Sequence, residues 1–194
     1  MEHRSLRFGC VCASNQNRSM EAHDLFLKNG FNVKSYGTGS SVKLPGQSIH
    51  QPNVYGFNTP YQTMLEDLEA QDKDLYVQNG VLRMLKRNSN IKRAPERFQE
   101  TSEKFDVIIT FEDRVFEAVL DHFNSKRSIT FEMAHVVNLE VNDTHAHAAI
   151  GAKYALEFAM VMSSLRNLED EFEEALSRFA DSSNSPMKFS IQYY

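Results

Sequence analysis

Cys12 and Arg18 bracket five small or polar residues, Ala13, Ser14, Asn15, Gln16 and Asn17, and Ser19 follows the arginine. This C-x5-R spacing suits a loop that holds a phosphate dianion. A tight turn of small residues between a strand end and a helix start aims its backbone N–H groups inward. The helix N-terminus adds unpaired N–H groups and positive partial charge. Arg18 supplies a planar fork for two phosphate oxygens. Cys12, at the floor of the same nest, sits in a field that favours the nucleophilic thiolate. Ser19 can donate its hydroxyl to that thiolate. The bare spacing also fits a buried structural cysteine beside a helix-starting arginine. The strand before it and the helix after it favour the chemical reading.

A phosphatase also needs a general acid to protonate the leaving oxygen. The NDTH stretch offers Asp143, with Glu140 as second choice. Asp143 equally fits an N-cap for the following helical segment, and one residue can do both. His145 and His147, at i and i+2 in the same expected loop, read as solvated side chains, and neither a metal nor another cofactor is expected. No G-x-x-x-x-G-K-[ST], C-x-x-C or H-E-x-x-H pattern occurs, so an ATP-type loop is not supported.

These residues need a scaffold. LRFGCVC is an apolar run suited to a central strand, and RSMEAHDLFLKNG is an amphipathic helix with a Gly stop. FNVKSYG is a second strand, so the first 37 residues read as a β-loop-α-β unit and predict a parallel sheet. Residues 38–60 are rich in Gly, Pro, Ser and Asn; KLPG reads as a turn, with VKL and NVYGF pairing as a hairpin. Two helices are expected from YQTMLEDLEAQDKD and LYVQNGVLRMLKRN, followed by a basic, turn-rich stretch. FDVIITF and MAHVVNLEV are strands around the helix EDRVFEAVLDHFNS. Residues from about 148 to 179 are helical, and KFSIQYY is a closing edge strand after the short linker DSSNSP. The alternation predicts an α/β fold: a doubly wound, mainly parallel central sheet flanked by helices. In such sheets ligands bind beyond the carboxyl ends of the strands, where both the Cys12 loop and Asp143 lie.

Composition narrows the class. With 194 residues, 41% of them apolar and no run near the ~20 apolar residues of a membrane span, the chain reads as one soluble domain over residues 1–194. Its cap insertions lie at about 40–58 and 60–97. The net charge of −5 argues against direct nucleic-acid binding through broad phosphate neutralisation. The N-terminus lacks a secretory pattern, and Cys10 and Cys12 at i and i+2 make a poor disulfide, so a reducing compartment is expected. Cys10 is expected in the core.

VCASNQNRSMEAH, SYGTG, VKLPG, PNVY, NGVLRMLKRN, APERFQE and HVVN, in this order, resemble the RNA polymerase II C-terminal-domain phosphatases. That family is a nuclear branch of the low-molecular-weight tyrosine-phosphatase fold. The resemblance implies a phosphoserine phosphatase acting on the heptad repeats of the polymerase tail, chiefly at the fifth heptad position with the following Ser-Pro bond in cis. It implies a nuclear location, work in mRNA 3′-end processing, and docking on a symplekin-type scaffold. By position, Cys12 looks like the nucleophile, Arg18 the phosphate clamp, Ser19 the thiolate partner and Asp143 the acid. Lys43, Leu44 and Pro45 look like one wall of the peptide groove, and Tyr76, Val81 and Met84 like the other. A cis-selective groove also predicts cooperation with a prolyl isomerase, because X-Pro bonds interconvert slowly. Departures are the Asp-Thr pair at 143–144 where the wider fold has Asp-Pro, Glu140 where Asp is expected, and Gln16 and Asn17 where many relatives carry a second cysteine. The rival readings are an arsenate-reductase-like redox enzyme, a phosphopeptide-binding scaffold and a tyrosine phosphatase of the parent type.

Overall fold

In the computed structural model, which describes residues 6–48, 50–126, 130–183 and 187–194, the first apolar run forms strand β1 (Arg7–Cys12). Helix α1 (Arg18–Lys28) and strand β2 (Asn32–Gly37) complete the expected unit, with β2 parallel to β1. The second half repeats the logic. Strand β5 (Val107–Thr110), helix α4 (Asp113–Ser125) and strand β6 (Met133–Asn138) place β5 and β6 parallel to β1 on its other side. Helices α5 (His145–Ser164) and α6 (Leu168–Ser183) follow, and β7 (Lys188–Tyr193) closes one edge antiparallel to β6. The sheet order is β2-β1-β5-β6-β7. The linker expected at 181–186 falls partly outside the described residues.

Period-two alternation on β1 decides which side each residue feeds. Phe8, Cys10 and Cys12 pack with Phe26 of α1 and with Ala155, Phe158 and Phe172 of α5 and α6. Val11 turns to the other face, with Val115, Phe116 and Val119 of α4. Both cysteines thus share one face, and Cys10 lies in the core without solvent contact. Burial pushes its thiol far up, which makes it inert.

The segment between β2 and β5 builds a separate packing unit. Strands β3 (Val42–Ser48) and β4 (Gln51–Tyr55) form an antiparallel hairpin, and α2 (Tyr61–Gln78) and α3 (Val81–Ile91) pack beside it. Val42, Leu44, Tyr61, Met64, Leu68, Tyr76 and Leu85 make its core, and Met20 of α1 joins them. This unit is called the cap below.

Four local expectations need correction. KLPG is not the hairpin turn; it lies within β3, where the register shifts between Leu44 and Ser48. Pro45 cannot donate to the ladder, so regular pairing lapses there. The break expected after Asp74 is instead a kink at Asp72, whose carboxylate accepts from the Leu75 N–H at 3.1 Å and restarts the helix. The true junction between α2 and α3 is Asn79–Gly80. Finally, α5 begins at His145 because Thr144 caps it, its hydroxyl accepting from the His147 N–H at 3.2 Å. His145 and His147 therefore sit on a helical first turn and not in a loop, and Asp143 is not the cap.

Candidate active site

The loop between β1 and α1 is shaped by what happens to its carbonyls. The Cys12 and Ala13 carbonyls accept from the backbone N–H groups of Thr38 and Gly39, at 3.0 and 2.9 Å. The Asn15 carbonyl accepts from the Tyr61 hydroxyl at 2.6 Å. The Gln16 carbonyl accepts from Asn88 Nδ2 at 2.8 Å and from Arg87 at 3.0 Å. The Asn17 carbonyl accepts from the Glu21 N–H at 2.9 Å, inside α1. With these oxygens drawn outward, the N–H groups are left for an anion. Asn15 holds a left-handed φ of 53°, which asparagine tolerates. The SYGTG stretch lies close underneath. A Cβ on Gly37 would stand 2.7 Å from the Ala13 oxygen, so the loop needs glycine there.

The Cys12 sulfur, in a residue 3% exposed, lies 3.0 Å from the Ser19 hydroxyl. A neighbouring amide decides who donates. Asn15 Oδ1 accepts from the Glu96 N–H at 3.1 Å, which fixes the amide, so Nδ2 donates to Ser19 Oγ at 3.0 Å. The serine hydrogen is then free to point at the sulfur. Asn15 Nδ2 also donates to Ser35 Oγ, which lies 2.8 Å from His23 Nδ1.

Arg18 is held side-on. Its Nη1 donates to the carbonyls of Phe111 and Val141, at 3.2 and 2.9 Å, and pairs with Glu112 at 2.7 Å. Its Nε stands 3.4 Å from Asp143 Oδ1. Burial works against the charge, but Cys12, Asp143 and Glu112 outweigh it, so its pKa stands above the ordinary arginine value. Asp143 is largely exposed and accepts from Asn17 Nδ2 at 3.0 Å. Glu140 points elsewhere: it accepts from the Asp113 N–H and Asn138 Nδ2, both at 3.1 Å, at the start of α4.

One cavity of about 310 Å³ joins these groups. Cys12, Ser14, Gln16, Asn17 and Asp143 line its floor and rim. Lys43, Leu44 and Pro45 form one wall, and Val81 and Met84 the other. Tyr76 does not line it. That ring is buried behind the wall, and its hydroxyl accepts from Asn53 Nδ2, which also donates to the Pro45 carbonyl, both at 2.9 Å.

Residues 6–194 match the family described as Ssu72-like protein. The chain belongs to that family. Its relatives include the RNA polymerase II C-terminal domain phosphatase SSU72 of Danio rerio, 45% identical over 97% of both chains, and that of Homo sapiens, 44% identical over the same shares. A solved structure of D. melanogaster Ssu72 with Symplekin, bound to a cis peptidomimetic CTD phospho-Ser5 peptide, superposes with a TM-score of 0.96. It is 42% identical, covering 98% of this chain and 99% of that one.

Within this Ssu72-like chain, several residues around the loop lie outside what the sequence reading picks out. Tyr61, Arg87 and Asn88 reach the loop from the cap, and Glu112 reaches Arg18 from the N-cap of α4. Arg87 is buried, which brings its pKa down to about 10, and it also pairs with Glu21. Nothing in their spacing signals these roles, because each loop partner is at least 46 positions away.

Proposed function

We propose that this chain is a cysteine-dependent protein phosphatase that removes phosphate from phosphoserine in the C-terminal domain of RNA polymerase II. The observation that carries the reading is the Cys12–Ser19 pair at 3.0 Å, on the floor of a loop whose carbonyls are turned outward, with Arg18 and Asp143 at its rim. In the first step the Cys12 sulfur attacks phosphorus in line; the S–P bond forms and the P–O bond to serine breaks. Asp143 gives its proton to the departing serine oxygen. In the second step Asp143 takes a proton from water, whose oxygen bonds to phosphorus as the S–P bond breaks. Ser19 donates to the leaving thiolate. Loop N–H groups and Arg18 hold the charge that builds on the phosphoryl oxygens.

The substrate side rests on the cap. Lys43, Leu44 and Pro45 on one wall and Val81 and Met84 on the other flank the mouth of the phosphate loop, where the residues beside a phosphoserine would lie. The cis-bound phospho-Ser5 peptide and Symplekin in the D. melanogaster relative support three further readings. These are the fifth heptad serine followed by a cis proline, a symplekin-type scaffold as partner, and a nuclear site of action. The decisive assay offers matched heptad peptides carrying phosphoserine-proline or phosphotyrosine. Turnover of the phosphoserine peptide, lost in Asp143→Asn by about a hundredfold or more, is expected. Preference for phosphotyrosine would overturn the substrate assignment. A prolyl isomerase should speed turnover when enzyme is in excess, and no effect there would exclude a cis-only groove.

A further inference from the structure

His145 is the first residue of α5 and stands where three parts of the site meet. Its Nε2 lies 3.1 Å from the Asn79 carbonyl, at the junction of α2 and α3. Its Nδ1 lies 3.3 Å from Asn17 Oδ1, at the end of the phosphate loop. Gly80 follows Asn79 with a left-handed φ of 82°, and a Cβ there would come within 3.2 Å of the imidazole. The chain is therefore built to let this ring sit directly under the junction.

The Asn17 amide is oriented by its other end, where Nδ2 donates to Asp143 Oδ1 at 3.0 Å. Its Oδ1 therefore faces His145. The ring thus meets the cap junction through one nitrogen and the loop amide through the other.

We propose that His145 is a positioning residue that ties the cap wall to the phosphate loop and aims Asn17 at Asp143. Through Asn79 it fixes the turn that sets Val81 and Met84 on the groove. Through Asn17 it fixes the amide that holds Asp143. The inference rests on the phosphatase reading only for its kinetic consequence.

Two measurements on the full chain test it. Amide NMR of the free protein should show His145→Gln shifting the signals of both Asn17 and Gly80. Shifts confined to α5 would overturn the proposal whatever the enzyme does. Kinetically, kcat/KM for a phosphoserine-proline peptide should fall roughly tenfold in His145→Gln, the scale of one lost hydrogen bond. The loss should split, kcat falling through the loosened Asp143 and KM rising through the loosened cap wall, while circular dichroism and the thermal midpoint certify the fold. Peptide kcat and KM both unchanged by His145→Gln would overturn the positioning role. No aryl-phosphate turnover by the unmodified protein would sink the phosphatase reading, and the amide-shift result would stand apart from it.

Discussion

The phosphate loop and the cap meet at one cavity but are made by different means. The loop is backbone: a short stretch between β1 and α1 whose carbonyls are tied back and whose N–H groups remain. The cap is side chains: a small apolar core of hairpin and helices, with a groove wall on each side of the cavity. The loop can bind any phosphate monoester, because phosphate oxygens look alike. The cap supplies most of the remaining cavity lining, with Thr144 and His145 at the start of α5. The division is not clean, since Tyr61, Arg87 and Asn88 of the cap hold loop carbonyls. Chemistry and recognition therefore share parts of one support.

Perturbations can sharpen or break that contrast. The largest effect belongs to Cys12→Ser, which should abolish turnover of peptide and aryl phosphate alike, by at least about a thousandfold. Substantial residual activity would mean that the route is not covalent through this sulfur, and stopped-flow or discontinuous phosphate release suffices to see it.

The next effect strains the loop from the sheet side. His23 is 6% exposed beneath Ser35, and burial, helped by Lys92, lowers its pKa to about 4. Unfolded, a histidine titrates near about 6.5. Between those values the unfolded chain takes up a proton that the folded chain refuses. Stability is therefore full above about pH 6.5 and falls on acidification toward pH 4, by on the order of 3 kcal/mol. Urea unfolding at pH 7 and pH 4.5 measures it, and His23→Gln should flatten the dependence. An equal slope in that variant would assign the loss to other groups.

A smaller effect probes the shared support. Tyr61→Phe leaves the buried Asn15 carbonyl unpaired, a cost of about 1–3 kcal/mol. It should slow aryl phosphate and peptide together, roughly tenfold. Loss confined to the peptide would show that the loop shapes itself without the cap. The smallest effect is Tyr76→Phe. It removes the acceptor behind Asn53 and Pro45, and should raise KM for the peptide by a fewfold while leaving aryl-phosphate kinetics unchanged.

How far the sequence reaches depends on distance along the chain. The loop, α1 and the β-loop-α-β unit are legible because their signals are local: an apolar strand, small residues, a helix start. The Thr144 cap is not, because Asp143 satisfies the same pattern one residue earlier, and only geometry separates them. The kink at Asp72 reads two residues late, because an acidic side chain restarting a helix looks like one more charged residue on a helix face. The family resemblance assigns Tyr76 to the groove, yet burial places it one hydrogen bond behind the wall.

By itself the sequence brought together the residues proposed to react, since a cysteine, an arginine and a serine within eight positions meet at one strand-to-helix turn. It also determined the parallel sheet, because a crossover helix between two strands permits little else. Only the tertiary structure decided which carboxylate lines the cavity, which groups tie the loop carbonyls back, and where the cap stands. Glu112, Tyr61, Arg87, Asn88 and His145 act across long stretches of chain. Contacts of that kind are fixed by how elements pack against one another, and side-chain type and spacing do not encode them.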